Sequence, residues 1–267
     1  MPPPVPSSAN DSVTALVRRH DPDRFLTALF APPDKRDALM TLYAFNHELA
    51  RAREVVSEPH LALIRLHWWR EVVEGTRKRH EVANRLADAI AAGLLLPDDL
   101  LPIIDARELE AEPCFETLAD WRAWLLAGAG GLAAAAGRLL GASDPEILRP
   151  LGAAYGVSGV LRAFRVMSLA GRCLLPLDVL AALGLTPEVA MAAPASPAMA
   201  AAFRGIVAEG RGFLASGAHV PPQAVAAALP GVLARRDLAR WPVVAHPRGL
   251  GDRLAVTWHG LTRRGVV

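Results

Sequence analysis

The chain has 267 residues, which is enough to bury a full hydrophobic core in one large domain. Its formal net charge of +2 is too small and too dispersed to predict binding of nucleic acid. Two cysteines are too few for a disulfide framework, and the proline-rich start carries no signal-peptide pattern. The longest uncharged stretches, around 123–137 and 212–234, are poor candidates for transmembrane segments, so we predict a cytoplasmic protein.

The chain is predicted to consist of a disordered leader, residues 1–11, and a single helical domain, residues 12–267. Strong helix formers are abundant, whereas valine, isoleucine and threonine never cluster into alternating runs of strand length. Helix starts are predicted at Pro32-Pro33-Asp34 and at Ser57-Glu58-Pro59. Each start is followed by apolar residues at helical spacing.

The second half of the chain continues this pattern, with helical stretches predicted from Thr117 to Leu140 and from about Pro145 to Ser168. Residues 184–200 are rich in Ala, Pro and Met, which predicts a surface loop or short linker. The tail, residues 201–260, is predicted to hold two or three helices. Its predicted breaks are two proline-containing pairs, Pro221-Pro222 and Pro230-Gly231. Helices without an intervening block of strands predict one all-α bundle.

Two segments resemble the signatures of the squalene/phytoene synthase family. The first, residues 43–54, reads Tyr-Ala-Phe-Asn-His-Glu-Leu-Ala-Arg-Ala-Arg-Glu. The second runs from Leu161-Arg162-Ala163 to a Gly-Arg-Cys-Leu-Leu-Pro sequence at residues 171–176. The resemblance covers roughly residues 18–178. It implies an all-α, single-domain helical bundle of the isoprenoid synthase type.

The chain departs from the family at the expected metal ligands. In the family, two facing helices each present carboxylates at i and i+4, on one helix face, and these hold Mg²⁺ ions against a diphosphate. Here the first pair falls on Ala50 and Glu54, and the second on Ala163 and Met167. One of the four principal carboxylates remains, and Arg51 nearby would repel a cation. The sequence therefore predicts no metal, no cofactor and no catalytic residue.

Six polar residues near these motifs are candidates for a pocket or a phosphate-binding site. Arginine matches phosphate oxygens in a bidentate fork, so arginines are able to replace lost metals. Stripes of small residues along the same two helices are able to line a cavity for an isoprenoid or lipid tail. Ordinary salt bridges and close helix packing also explain these residues and are the favoured interpretation, while the pocket interpretation stays open. The six candidates are Asn46, Glu48, Arg51, Arg162, Arg165 and Arg172.

The first signature also resembles a branch of the family whose aspartates are likewise degraded, that of an assembly factor of respiratory complex I. This resemblance implies a non-catalytic protein, peripheral on the inner membrane, with a respiratory-chain protein or assembly intermediate as partner. One alternative is a head-to-head prenyltransferase acting on farnesyl or geranylgeranyl diphosphate, with Mg²⁺ held in a rearranged site by Glu48 and Glu54. Another alternative is a protein that binds isoprenoids or anionic lipids.

Overall fold

A computed structural model describes residues 9–54, 58–111, 114–216, 220–242 and 248–263. Within these ranges the chain forms helices and turns, and its β-structure is limited to an isolated bridge between Phe115 and Pro176. The predicted all-α fold class is confirmed. None of the helices in the described ranges is both long enough and apolar enough to cross a membrane.

The α-helices of the described ranges are numbered in chain order. They are α1 Ala9–His20, α2 Pro22–Ala28, α3 Pro33–Glu54, α4 Pro59–Val73, α5 Glu81–Ala91, α6 Pro97–Leu109, α7 Leu118–Leu125, α8 Gly131–Leu139, α9 Arg149–Leu169, α10 Leu177–Ala181, α11 Pro187–Ala192, α12 Pro197–Ala215, α13 Val225–Arg240 and α14 Leu250–Thr262. A π-helical turn, Leu126–Gly130, joins α7 to α8. Short 3₁₀ turns precede α9 and α13, at Pro145–Leu148 and Pro222–Ala224.

Local signals in the sequence set many of the helix starts. Helices α3 and α4 begin at Pro33 and Pro59, as predicted, because a proline at the first helical position loses no intrahelical hydrogen bond. The Thr117 hydroxyl caps α7 by accepting a hydrogen bond from the backbone N–H of Asp120 at 3.1 Å. The chain enters α1 at Ala9, inside the predicted leader, while residues 1–8 lie outside the described ranges.

Two predictions for the C-terminal half are wrong. Residues 184–200, predicted as a loop, contain all of α11 and the start of α12, whose first-position prolines are compatible with a helix. Pro230 does not break the tail, because it lies inside α13. A proline there costs about 3 kcal/mol in an isolated helix. Every residue of 225–234 is buried, so packing of this segment into the core outweighs that cost.

Helix α9 lies at the centre of the bundle, packed against α12, α13 and the π-helical turn. Helix α3 packs against α1, α4, α5 and α8. The first signature segment lies on α3, and the second begins on α9 and ends just beyond it. Their positions decide where the degraded ligand positions meet.

Candidate functional site

Helices α3 and α9 contribute opposite walls of one cavity of about 210 Å³, called here the central cavity. Ala50 of α3 lines it, as do Gly159, Ala163 and Met167 of α9. Three of the four positions at which the family signature places carboxylates therefore face one space. The fourth is Glu54, whose side chain lies outside the described part of the structure.

The stripe of small residues along α9 serves packing at one end and the cavity at the other. A β-carbon added to Gly152 would lie only 2.4 Å from the carbonyl oxygen of Ala129 and 2.6 Å from the β-carbon of Ala133. A β-carbon added to Gly159 would meet nothing within 4 Å. Gly152 therefore permits close helix contact, whereas Gly159 leaves open space. The close-packing interpretation describes Gly152, and the interpretation of the stripe as the lining of a lipid cavity stays a prediction.

Two arginines approach one buried carboxylate on the polar wall of the central cavity. Arg107 Nη1 donates to Glu110 Oε1 at 2.7 Å, and Arg172 Nη2 lies 3.8 Å from Glu110 Oε2. The indole Nε1 of Trp124 also donates to Glu110 Oε1, at 3.2 Å. We call Arg107, Glu110 and Arg172 the Glu110 cluster. Its carboxylate is already bound to cationic partners.

The Glu110 cluster extends to one residue of the first signature. Arg107 Nη2 donates to the side-chain oxygen of Asn46 at 3.2 Å, and Asn46 is buried. Sequence reasoning identified Asn46 and Arg172 but missed Arg107 and Glu110. The missed residues carry no signature of their own, and the spacing of Arg107 and Glu110 by three residues is common on any helix surface.

A third arginine, Arg24 of α2, lines the central cavity between two aromatic rings. Its guanidinium carbon lies 4.9 Å from the ring centroid of Tyr155 and 5.7 Å from that of Tyr43. Its Nη1 also donates to Asp21 at 2.8 Å. Burial raises the pKa of Tyr43 to about 12, so its phenol stays protonated near neutral pH.

Arg162 faces a different space from Arg172. It lines a neighbouring cavity of about 400 Å³, where its Nη1 lies 3.3 Å from Oδ2 of buried Asp237. Ser158 and Arg248 also donate to Asp237, each at 2.5 Å. The salt-bridge interpretation therefore describes Arg162. Arg165, the remaining arginine candidate of α9, is exposed.

Glu48 lies away from the central cavity. It is buried in a groove that Trp68, Trp69 and His80 also line, and its carboxylate lies 3.6 Å from Arg51 Nη1. Residues two positions apart on a helix are separated by about 200° around its axis. Glu48 and Ala50 therefore point in different directions. This placement is contrary to the hypothesis that Glu48 contributes to a rearranged magnesium site facing α9.

The sequence model of the squalene/phytoene synthase family matches residues 17–244, which include both signature segments and both cavity-lining helices. The chain belongs to the squalene/phytoene synthase family. The fold is similar to the solved structure of squalene synthase HpnC from Alicyclobacillus acidocaldarius, with a TM-score of 0.68 and 19% identity, and the match covers 86% of this chain and 92% of that one. It is also similar to the structure of a dehydrosqualene synthase in complex with ligand, with a TM-score of 0.75 and 14% identity, and that match covers 95% of this chain and 97% of the other.

A relative from Rattus norvegicus is named NADH dehydrogenase (ubiquinone) complex I, assembly factor 6. It is 28% identical to the present chain over 181 residues. The match covers 65% of this chain and 54% of the rat protein, so the chain spans about half the length of that relative.

The residues of the central cavity do not fit the Mg²⁺ that membership of the squalene/phytoene synthase family implies. Mg²⁺ requires oxygen ligands in near-octahedral geometry, and Ala50, Ala163 and Met167 offer none. Glu110 offers a carboxylate, but two guanidinium groups flank it and would repel a divalent cation. In the part of the chain that the structure describes, no three or more His, Cys, Asp or Glu side chains group so as to hold a metal.

Proposed function

We propose that this chain is a non-catalytic member of the squalene/phytoene synthase family that acts as an assembly factor for respiratory complex I. The single observation that carries the non-catalytic part is the makeup of the central cavity. Alanine, alanine and methionine occupy ligand positions, and the carboxylate of Glu110 is bound by Arg107 and Arg172. The name of the rat relative supports the assembly role.

The chemistry of the family explains why this cavity argues against prenyl transfer. Ionisation of an allylic diphosphate places negative charge on the leaving group, and Mg²⁺ ions neutralise that charge. A cavity in which Ala50, Ala163 and Met167 replace the carboxylate ligands of Mg²⁺ loses this stabilisation. The proposed role therefore depends on binding a partner, which we take to be a respiratory-chain protein or an assembly intermediate at the inner membrane.

Deletion of the gene in the organism that encodes this chain tests the assembly role. We expect lower NADH dehydrogenase activity and less assembled complex I, with isoprenoid products unchanged, and recovery of both when the wild-type gene is restored. Loss of an isoprenoid product with complex I intact would instead assign the chain to prenyl transfer. The two measurements come from the same strain, so one experiment separates the two functions.

A second candidate function is binding of an isoprenoid or anionic lipid, and the open space beside Gly159 favours it. An apolar tail fits among Leu125, Val160 and Leu174, with an acidic head near Arg172. Farnesyl diphosphate in the presence of a metal chelator is a suitable probe.

Two glycine variants test this second candidate. Gly159→Leu adds a large side chain at the wall of the central cavity, whereas Gly205→Leu adds the same side chain at an equally exposed and open position of α12. We expect metal-independent binding by the wild type and the Gly205 variant, and about tenfold weaker binding by the Gly159 variant. The absence of binding by the wild type would remove this candidate and leave the assembly proposal untouched.

A further inference from the structure

Helix α14 presents a row of large apolar side chains to solvent. The row consists of Leu250, Leu254, Trp258 and Leu261. Successive residues on an α-helix are about 100° apart around its axis, so these four residues lie within an arc of about 80°. The exposed fractions of their side chains, all above half, are 74% for Leu250, 58% for Leu254, 64% for Trp258 and 72% for Leu261. We call these four residues the α14 ridge.

The opposite face of α14 is fixed to the bundle. Asp252 is buried and accepts hydrogen bonds from Arg236 Nε at 2.7 Å and Arg240 Nη2 at 2.6 Å, both on α13. A β-carbon added to Gly260 would lie 2.4 Å from the ring of Phe30, so the helix sits directly on this ring. The α14 ridge is therefore held facing outward. It also lies beyond residues 17–244, which the family model matches.

The exposed charged side chains of α14 and of its C-cap residue are positive. Arg253 and Arg263 are exposed, and Asp252, the one acidic residue of α14, is buried between two arginines. Arg18 of α1 lines the same surface groove as Arg253, and the acidic residue Asp23 in that groove is paired with Arg248 Nε at 2.9 Å. A ligand that covers the ridge would therefore meet apolar side chains bordered by positive charge.

We propose that the α14 ridge docks on an anionic bilayer surface, with α14 lying in the plane of the lipid head groups. The ridge extends about 16 Å along the helix axis, which suits a helix that buries one face in the interface. Tryptophan is favoured at that depth, because its ring is apolar and its N–H is polar. The bordering arginines complement anionic lipids. This inference does not depend on the proposed assembly function.

Co-sedimentation of the full chain with vesicles tests the docking. The two vesicle compositions are a phosphatidylglycerol–phosphatidylcholine mixture and phosphatidylcholine alone. We expect binding to the anionic vesicles, weakened by added salt, and much weaker binding to the neutral ones. A shift of tryptophan fluorescence to shorter wavelength should accompany binding, as Trp258 leaves water.

A double substitution of the ridge provides the decisive comparison. Each large apolar side chain contributes about tenfold to partitioning, so Leu254→Ser with Trp258→Ser should weaken binding about 100-fold. The matched control is Val166→Ser with Leu169→Ser, which removes two apolar residues that are 67% and 85% exposed at the end of α9. We expect the control to bind like the wild type. Circular dichroism verifies that both variants fold.

Three results would overturn the proposal. They are absence of binding to anionic vesicles, equal binding to neutral vesicles, and equal loss in the ridge and control variants. Light scattering of the wild type and of the ridge variant tests whether the ridge instead joins two copies of the chain. A wild-type dimer that the ridge substitutions convert to a monomer, without vesicle binding, would assign the ridge to a second copy of the chain and also overturn the proposal.

Discussion

Arg172 faces Glu110 across the polar wall of the central cavity, with Nη2 3.8 Å from Oε2. Arg107 binds the other oxygen of the same carboxylate at 2.7 Å. The positive charge beside this carboxylate therefore comes from two guanidinium groups of the chain itself. The Glu110 cluster makes the polar wall a self-contained salt-bridge network.

Removal of the charge of Glu110 should destabilise the fold. Glu110→Gln leaves two guanidinium groups close together without their shared carboxylate, and breaking a buried pair costs about 3 kcal/mol. The arginine side chains are 23% and 13% exposed, so we expect about 2 kcal/mol in urea unfolding.

The control for Glu110 is another arginine–glutamate pair nearer the surface. Glu209 binds Arg122 through two hydrogen bonds, at 2.6 and 2.7 Å, but the arginine is 47% exposed. Glu209→Gln should cost less than about 1 kcal/mol. Equal losses in the two variants would show that burial of the Glu110 cluster has no energetic consequence.

Two alanine substitutions separate packing from open space along α9. Gly152→Ala forces a β-carbon against the Ala129 carbonyl, and overpacking of this kind costs about 1 to 3 kcal/mol. Gly159→Ala meets open space, so the higher helix propensity of alanine should stabilise by about 0.5 kcal/mol. Midpoints of chemical unfolding would reveal the opposite signs. Destabilisation by both substitutions to the same extent would contradict the conclusion that Gly152 is closely packed whereas Gly159 faces open space.

The ion pairs of Asp252 should make stability depend on pH in the acid range. Burial alone would raise the pKa of Asp252, but hydrogen bonds from Arg236 and Arg240 outweigh it and hold that pKa below its usual value of 3.8. A lowered pKa means that the stabilisation is complete above 3.8 and is lost as the pH falls through the lowered pKa.

Asp252→Asn tests this dependence. We expect a loss of about 2 kcal/mol near neutral pH, because hydrogen bonds to charged groups contribute that much. The difference from wild type should shrink as the pH falls below 3.8. The exposed pair of Asp88 and Arg77 gives a control, and Asp88→Asn should have little effect at any pH. A difference that stays constant down to the lowest pH would contradict the assignment.

Local sequence signals predicted much of the fold because they act within a few residues. Pro33, Pro59 and Thr117 each start a helix by themselves or with one neighbour. The prediction of a break at Pro230 is wrong because its helix is stabilised by burial of residues 225–234, which depends on contacts with distant parts of the chain. Position in the core is not readable from the residues beside a proline.

The candidate site was predicted on the same terms. Ala50 and Ala163 were placed by the family signature, and both line the central cavity. The hydrogen bond between Arg107 and Asn46 joins residues 61 positions apart, so no local sequence pattern predicts it. The position of Glu48 is readable from the sequence, because its spacing of two residues from Ala50 places the two side chains on different faces of the helix.

The most direct measurement of the central claim is a product assay with the purified chain. The protein is incubated with Mg²⁺ and farnesyl or geranylgeranyl diphosphate, beside an active squalene synthase as control, and released diphosphate and hydrocarbon products are quantified. The proposed non-catalytic role predicts no product above the level seen without protein. Magnesium-dependent formation of a head-to-head product would contradict it.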